Sequence, residues 1–127
     1  MLQTFGLSHL QITVSDLERS LNFYKGLFGM EEVRRFETCA MIQTPGTQEI
    51  LTLNASLNEA AHVGKMGGIA HFGFRLREPM EMDQVLEAVT KLGGKAVTQG
   101  GSKEKGRLYA FGTDPDGYEL EIFWEEN

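Results

Sequence analysis

Hydrophobic and polar residues alternate along residues 7–14, LSHLQITV, so Leu10, Ile12 and Val14 share one face of an extended strand and His9, Gln11 and Thr13 the other. The period then changes. Leu17, Leu21, Tyr24 and Phe28 recur at helical spacing, Ser15 and Glu18 make a capping box, and Gly29 stands at the C′ position. Met30 to Phe36, Cys39 to Gln43 and Glu49 to Leu53 read as three more strands, the last entered through a Pro45-Gly46 turn. From Asn54 to Gly68 the periodicity is weak and small residues are frequent, which marks a linker.

The same order then returns. IAHFGFRL at 69–76 alternates, with Phe72, Phe74 and Leu76 on one face and His71, Gly73 and Arg75 on the other. Pro79 suits the first turn of a helix, Met82, Val85, Leu86, Val89 and Leu92 form its apolar stripe, and Gly93-Gly94 ends it. Lys95 to Gln99 and Leu108 to Gly112 read as strands flanking a Gly- and Lys-rich loop. Asp114-Pro115-Asp116-Gly117 is a tight turn before a last strand with Leu120, Ile122 and Trp124 on one face and Glu119, Glu121 and Phe123 on the other. The pattern predicts an α+β fold of two βαβββ modules in one domain, 1–127: module one about 5–55, a linker about 56–67, module two about 68–125. Aligning the Thr44-Pro45-Gly46 turn with Asp114-Pro115-Asp116-Gly117 sets Glu49 against Glu119 and Leu51 against Glu121.

Composition narrows the partners. A net charge of −6 and a pI near 5.0 argue against nucleic acid or an anionic membrane surface, and no apolar run approaches the ~18–20 residues of a membrane span. Met1-Leu2-Gln3-Thr4 begins no charged-then-apolar leader, so a signal peptide is not expected. The single Cys39 forms no internal disulfide, which makes a reducing cytoplasm the expected compartment.

The chemistry lies on the non-core faces. His9 and His71 occupy matching places in the two modules, and Glu121 lies on the non-core face of the closing strand. Two imidazoles and one carboxylate with open positions suit one divalent ion of Fe, Mn, Ni, Co or Zn. Glu121 would also border the chemistry there. Gln11 and Arg75, two and four residues beyond their histidines, share the same faces, and the Arg75 guanidinium suits an anionic substrate group. His62 falls in the linker and reads as a surface residue. Cys39 lacks a basic neighbour to activate a thiolate.

The strand of His9, the helix stretch Ser20-Leu21-Asn22-Phe23-Tyr24-Lys25-Gly26-Leu27-Phe28-Gly29-Met30, the strand of His71, and Asp114-Pro115-Asp116-Gly117 followed by Glu121 resemble the vicinal oxygen chelate superfamily. That superfamily includes glyoxalase I, fosfomycin-resistance proteins, extradiol dioxygenases and bleomycin-resistance proteins. The resemblance covers nearly the whole chain. It implies modules forming an open, U-shaped barrel around a metal, a small-molecule substrate bound through neighbouring oxygens, and a homodimer. Glyoxalase I carries a fourth ligand in module one where Leu51 is expected here, and Glu49 would reach it only by a shifted register. Fosfomycin-resistance proteins carry threonine at the place of Gln11. Ring-cleaving members carry a tyrosine at the place of Phe111, with Tyr109 one pleat away, so both are taken as substrate-lining. The reading is a metalloenzyme of the glyoxalase or dioxygenase type. The alternative is a metal-free sequestering protein of the bleomycin-resistance type, against which the triad counts.

Overall fold

A computed structural model covers residues 1–127, and the chain divides into two compact units, Met1–Val63 and Gly64–Asn127. The first runs β1 (His9–Thr13), α1 (Leu17–Phe28), β2 (Glu31–Phe36), β3 (Cys39–Gln43) and β4 (Ile50–Asn54), then a short 3-10 helix, Leu57–His62. The second runs β5 (Phe72–Arg75), α2 (Met82–Lys91), β6 (Lys95–Ser102), β7 (Arg107–Thr113) and β8 (Glu119–Glu125). Each unit holds an open four-stranded sheet, in order β1-β4-β3-β2 and β5-β8-β7-β6. The first strand pairs parallel with the last, and the remaining pairs are antiparallel. The architecture is therefore α+β, built from two βαβββ units.

Two local expectations change. Helix α1 is capped by Asp16, whose carboxylate accepts from the Arg19 amide, and not by Ser15. Ser15 instead accepts from the Arg19 guanidinium, and Glu18 pairs with Arg35 on β2. Asp is as good a cap as Ser, and starting the helix one residue later leaves Glu18 free for a longer-range cation. Second, β6 continues to Ser102, so the Gly- and Lys-rich loop shrinks to a four-residue turn between Ser102 and Arg107. A strand needs neither apolar nor β-branched residues once its partner supplies the ladder, so Gln99-Gly100-Gly101 joins the sheet.

In the second unit α2 packs against β6 and β7. A Cβ at Gly112 would stand 3.2 Å from Val89 Cγ1 and 3.7 Å from Leu86 Cδ2, so the helix lies on the Ala110–Gly112 face. Leu120 and Ile122, 0% and 2% exposed, share that face and fill the core. The other face carries Arg107, Tyr109 and Phe111 from β7, Glu121 and Phe123 from β8, and His71 and Arg75 from the β5 segment. Asp114, buried before β8, accepts from the amides of Asp116 and Tyr118 and so fixes where the strand starts and which residues face outward.

The strand registers revise the match between modules. His9 lies opposite Ile50 and Gln11 opposite Thr52, whereas Gly73 lies opposite Glu121. With His9 matched to His71, and therefore Gln11 to Gly73, Thr52 takes the place of Glu121, and Leu51 takes that of Leu120. The β3–β4 and β7–β8 registers agree, since Ala40 opposes Leu53 as Ala110 opposes Ile122. Leu51 is thus a core residue, 5% exposed, and the Leu51–Glu121 match fails because the first turn holds one more residue before its strand. Glu49 lies before β4, exposed, and is not in phase with the Thr52 position.

Candidate functional site

The second unit gathers part of the expected constellation. His71 Nε2 stands 3.7 Å from Glu121 Oε2, with the carboxylate side chain 15% and the imidazole 38% exposed. Gly73, between His71 and Arg75 on the strand, leaves space beside Glu121, where a Cβ would stand 3.2 Å from the Glu121 carbonyl oxygen. Phe111 stands edge-on to the His71 ring at 5.0 Å, and Tyr109 edge-on to Phe111 at 5.9 Å, so an aromatic floor extends from the imidazole along β7. Tyr109 crosses onto β6 where Gly100 leaves space. Any side-chain carbon at Gly100 would overlap the phenol.

On its other side, Glu121 Oε1 lies 3.8 Å from Arg107 Nη2. The sequence reading missed Arg107. Its signal was its phase, two residues before Tyr109 and four before Phe111 on the same face. Arg75 lies on this face as expected, and its Nη2 donates to Glu125 O at 3.0 Å and Asn127 Oδ1 at 2.9 Å, tying β5 to the chain end.

In the first unit, His9 and Gln11 are exposed on the same face of β1. His9 Nδ1 shares a 2.7 Å hydrogen bond with Ser8 Oγ, which leaves Nε2 as the nitrogen available for another partner. Cys39 is buried, and that burial, helped by the Glu37 carboxylate, pushes its thiol up, so it is not a ready nucleophile. His62 is exposed beside Glu59 at 3.5 Å, a surface pair.

The His71–Glu121 pair has the chemistry and spacing for a divalent ion. Two donors held at about 2.0–2.2 Å from one ion in adjacent positions stand roughly 3–3.5 Å apart, so the pair needs to close by only a few tenths of an ångström. No group of three or more His, Cys, Asp or Glu side chains is gathered around one such point, and His9 belongs to the other unit.

Residues 6–122 match the profile of the Glyoxalase/Bleomycin resistance protein/Dioxygenase superfamily. The chain belongs to this superfamily. It is 31% identical, over 94% of its length and 80% of the relative's, to the "Probable trivalent organoarsenical cleaving enzyme" of Bacillus subtilis (strain 168). It is 30% identical to the lactoylglutathione lyase of Neisseria meningitidis serogroup A, covering 95% of this chain and 91% of that one. Among solved structures, the fosfomycin resistance protein FosX from Mesorhizobium loti superposes with a TM-score of 0.74 at 20% identity, covering 96% of this chain and 93% of the other. At that identity the likeness concerns the fold. The superfamily thus joins members named for quite different reactions, so the reaction must be argued from the site.

Proposed function

We propose that this superfamily member is a divalent-metal-dependent enzyme of the glyoxalase or dioxygenase type, acting on a small substrate that presents two neighbouring oxygens. The observation that carries the reading is the His71–Glu121 pair, 3.7 Å apart on the open face of its sheet. His9 would be the third ligand in this reading, since its Nδ1 is engaged by Ser8 and its Nε2 has no such bond, for one ion of Fe, Mn, Ni, Co or Zn per chain. Held by two imidazoles and one carboxylate, such an ion would keep positive charge to polarise a substrate oxygen.

The chain's own residues do the rest. Glu121, its side chain 15% exposed, would bring a carboxylate to the site and border the substrate. Phe111 and Tyr109 exclude water from one side, and Gln11 and Arg75 supply polar contacts on their faces. Thr52, at the place matched to Glu121, offers a hydroxyl where a second carboxylate would stand, which supports a three-ligand site. The chain acts as a homodimer in a reducing cytoplasm. Leu2, Phe5 and Leu7, 91%, 100% and 83% exposed before β1, give a second copy an apolar surface to cover, and Cys39 stays a thiol there.

Metal analysis of purified wild type and of His9→Ala, His71→Ala and Glu121→Ala tests the site. About one ion per wild-type chain, lost in each variant, is the expected result, and wild-type content in all three overturns it. Glutathione hemithioacetal, catechol with oxygen, and fosfomycin with thiol, each assayed with Fe, Ni, Zn and Mn, separate the reactions. Failure of all three while an unrelated small molecule binds metal-free protein favours sequestration.

A further inference from the structure

Three acidic side chains from β8, Glu119, Glu121 and Glu125, share the open face of the second sheet with two guanidinium groups, Arg75 and Arg107. The two arginines are not equivalent. Arg75 is held by two hydrogen bonds to the chain end. The Arg107 guanidinium is tied by no comparable hydrogen bond, and its side chain is 59% exposed; its polar contact is Glu121 at 3.8 Å. That contact is not the one its register favours. Arg107 lies directly opposite Glu125, and Glu121 lies opposite Phe111, four residues further along the strand. Opposed Cβ atoms are about 5 Å apart, whereas four strand residues span about 13 Å, so Arg107 and Glu121 must both lean along the sheet to meet. The offset between them spans Tyr109 and Phe123, on the same face as the aromatic floor that leads to His71.

We propose that Arg107 is the anion-binding residue of this site, selecting small substrates with a carboxylate- or phosphate-type group and an apolar body that lies on Phe111 and Tyr109. The inference rests on the reading of Glu121 as a metal ligand, and it adds the substrate's charge and shape. Without metal, Arg107 is the counter-ion of Glu121. When Glu121 becomes a ligand, its charge is shared with the ion, and the exposed Arg107 guanidinium is left to pair with a substrate anion. A guanidinium at 3.8 Å, outside hydrogen-bond range, gives up little on turning away and gains a bidentate contact. Gly100 and Gly73 keep the floor and the carboxylate accessible to a planar body. By linkage, an anion on Arg107 and a metal on Glu121 strengthen each other's binding by the same factor.

The test uses benzoate as the probe and benzamide as its neutral counterpart, with binding read by calorimetry and amide chemical shifts in metal-free and Zn-loaded protein. In metal-free protein, Glu121→Gln removes a carboxylate that repels an incoming anion beside Arg107, so benzoate binds about 3- to 10-fold tighter than to wild type while benzamide is unchanged. Arg107→Ala and Arg107→Gln lose benzoate binding in both forms, and Arg107→Lys retains part of it. Arg107→Ala also binds Zn about 2- to 10-fold tighter without anion, because a competing cation beside Glu121 has gone, a change that a merely structural role would not produce. Benzoate binding unaltered by Arg107→Ala, or no tightening in Glu121→Gln, overturns the proposal. Zn retained by Glu121→Ala and His71→Ala sinks the metal reading alone, because the metal-free benzoate measurements still decide Arg107.

Discussion

Neighbouring residues on β8 should respond to truncation in opposite ways, because the strand buries one face and offers the other. Ile122 is 2% exposed on the helix-covered face. Replacing it with Ala removes three carbons from a packed core and leaves a cavity, a change that costs about 2–5 kcal/mol; 3 kcal/mol is a working value. Unfolding entropy near 2.1 cal/mol/K per residue gives roughly 0.27 kcal/mol/K for 127 residues, so Tm falls by about 11 °C if the chain melts as one. If Gly64–Asn127 melts alone, the entropy is about half and the shift is about 20 °C or more. Glu121→Ala instead removes one ion pair, with Arg107 at 3.8 Å, and a 3.7 Å contact to His71, neither a hydrogen bond, and should cost about 0–1 kcal/mol, or within about 4 °C. The assay is calorimetric melting of metal-free protein, with metal content measured after reconstitution. Ile122→Ala is expected to keep its metal per folded chain, and Glu121→Ala to keep its fold and lose its metal. A large drop in Tm for Glu121→Ala with metal retained would refute the assigned strand phase.

Other perturbations test the elements that set this phase. Gly112→Val should destabilise by about 1–3 kcal/mol in chemical denaturation, because even a Cβ would meet Lys95 O at 2.9 Å and Val89 Cγ1 at 3.2 Å; an unchanged midpoint would show that α2 does not pack there. Glu37 holds φ at 49° in the two-residue turn between β2 and β3, so Glu37→Gly should stabilise by a few tenths to about 1 kcal/mol; a loss of stability would mean that the Glu37 side chain matters more than its backbone. The Arg35 hydrogen bond holds the Glu32 carboxyl below its ordinary 4.5 against desolvation, with further help from the charges of Arg35 and Lys25. A lowered folded value stabilises the protein above the unfolded pKa and is lost as pH falls through the folded one, so Arg35→Gln should flatten the acid limb of the midpoint-versus-pH curve below about pH 4.5. An acid limb as steep as that of wild type would count against the pairing.

Alternation around His9 and His71, the helical stripes of α1 and α2, and Asp114-Pro115-Asp116-Gly117 were enough to read two βαβββ units and the superfamily. These signals are local: each depends on residues within one turn or one strand, where period and turn chemistry leave few alternatives. Register was not legible in the same way. A one-residue difference between the turns before β4 and β8 moves every side chain to the opposite face, and that is why Thr52, not Leu51, matches Glu121. Arg107 was hidden for a related reason. Its role depends on two side chains leaning toward each other across a four-residue offset, a direction that depends on the space around them and not on either segment alone. Which residues lie on an open face is thus written in the alternation of the chain. Which of them meet, His71 with Glu121 and Glu121 with Arg107, is decided by strand pairing between segments distant in sequence.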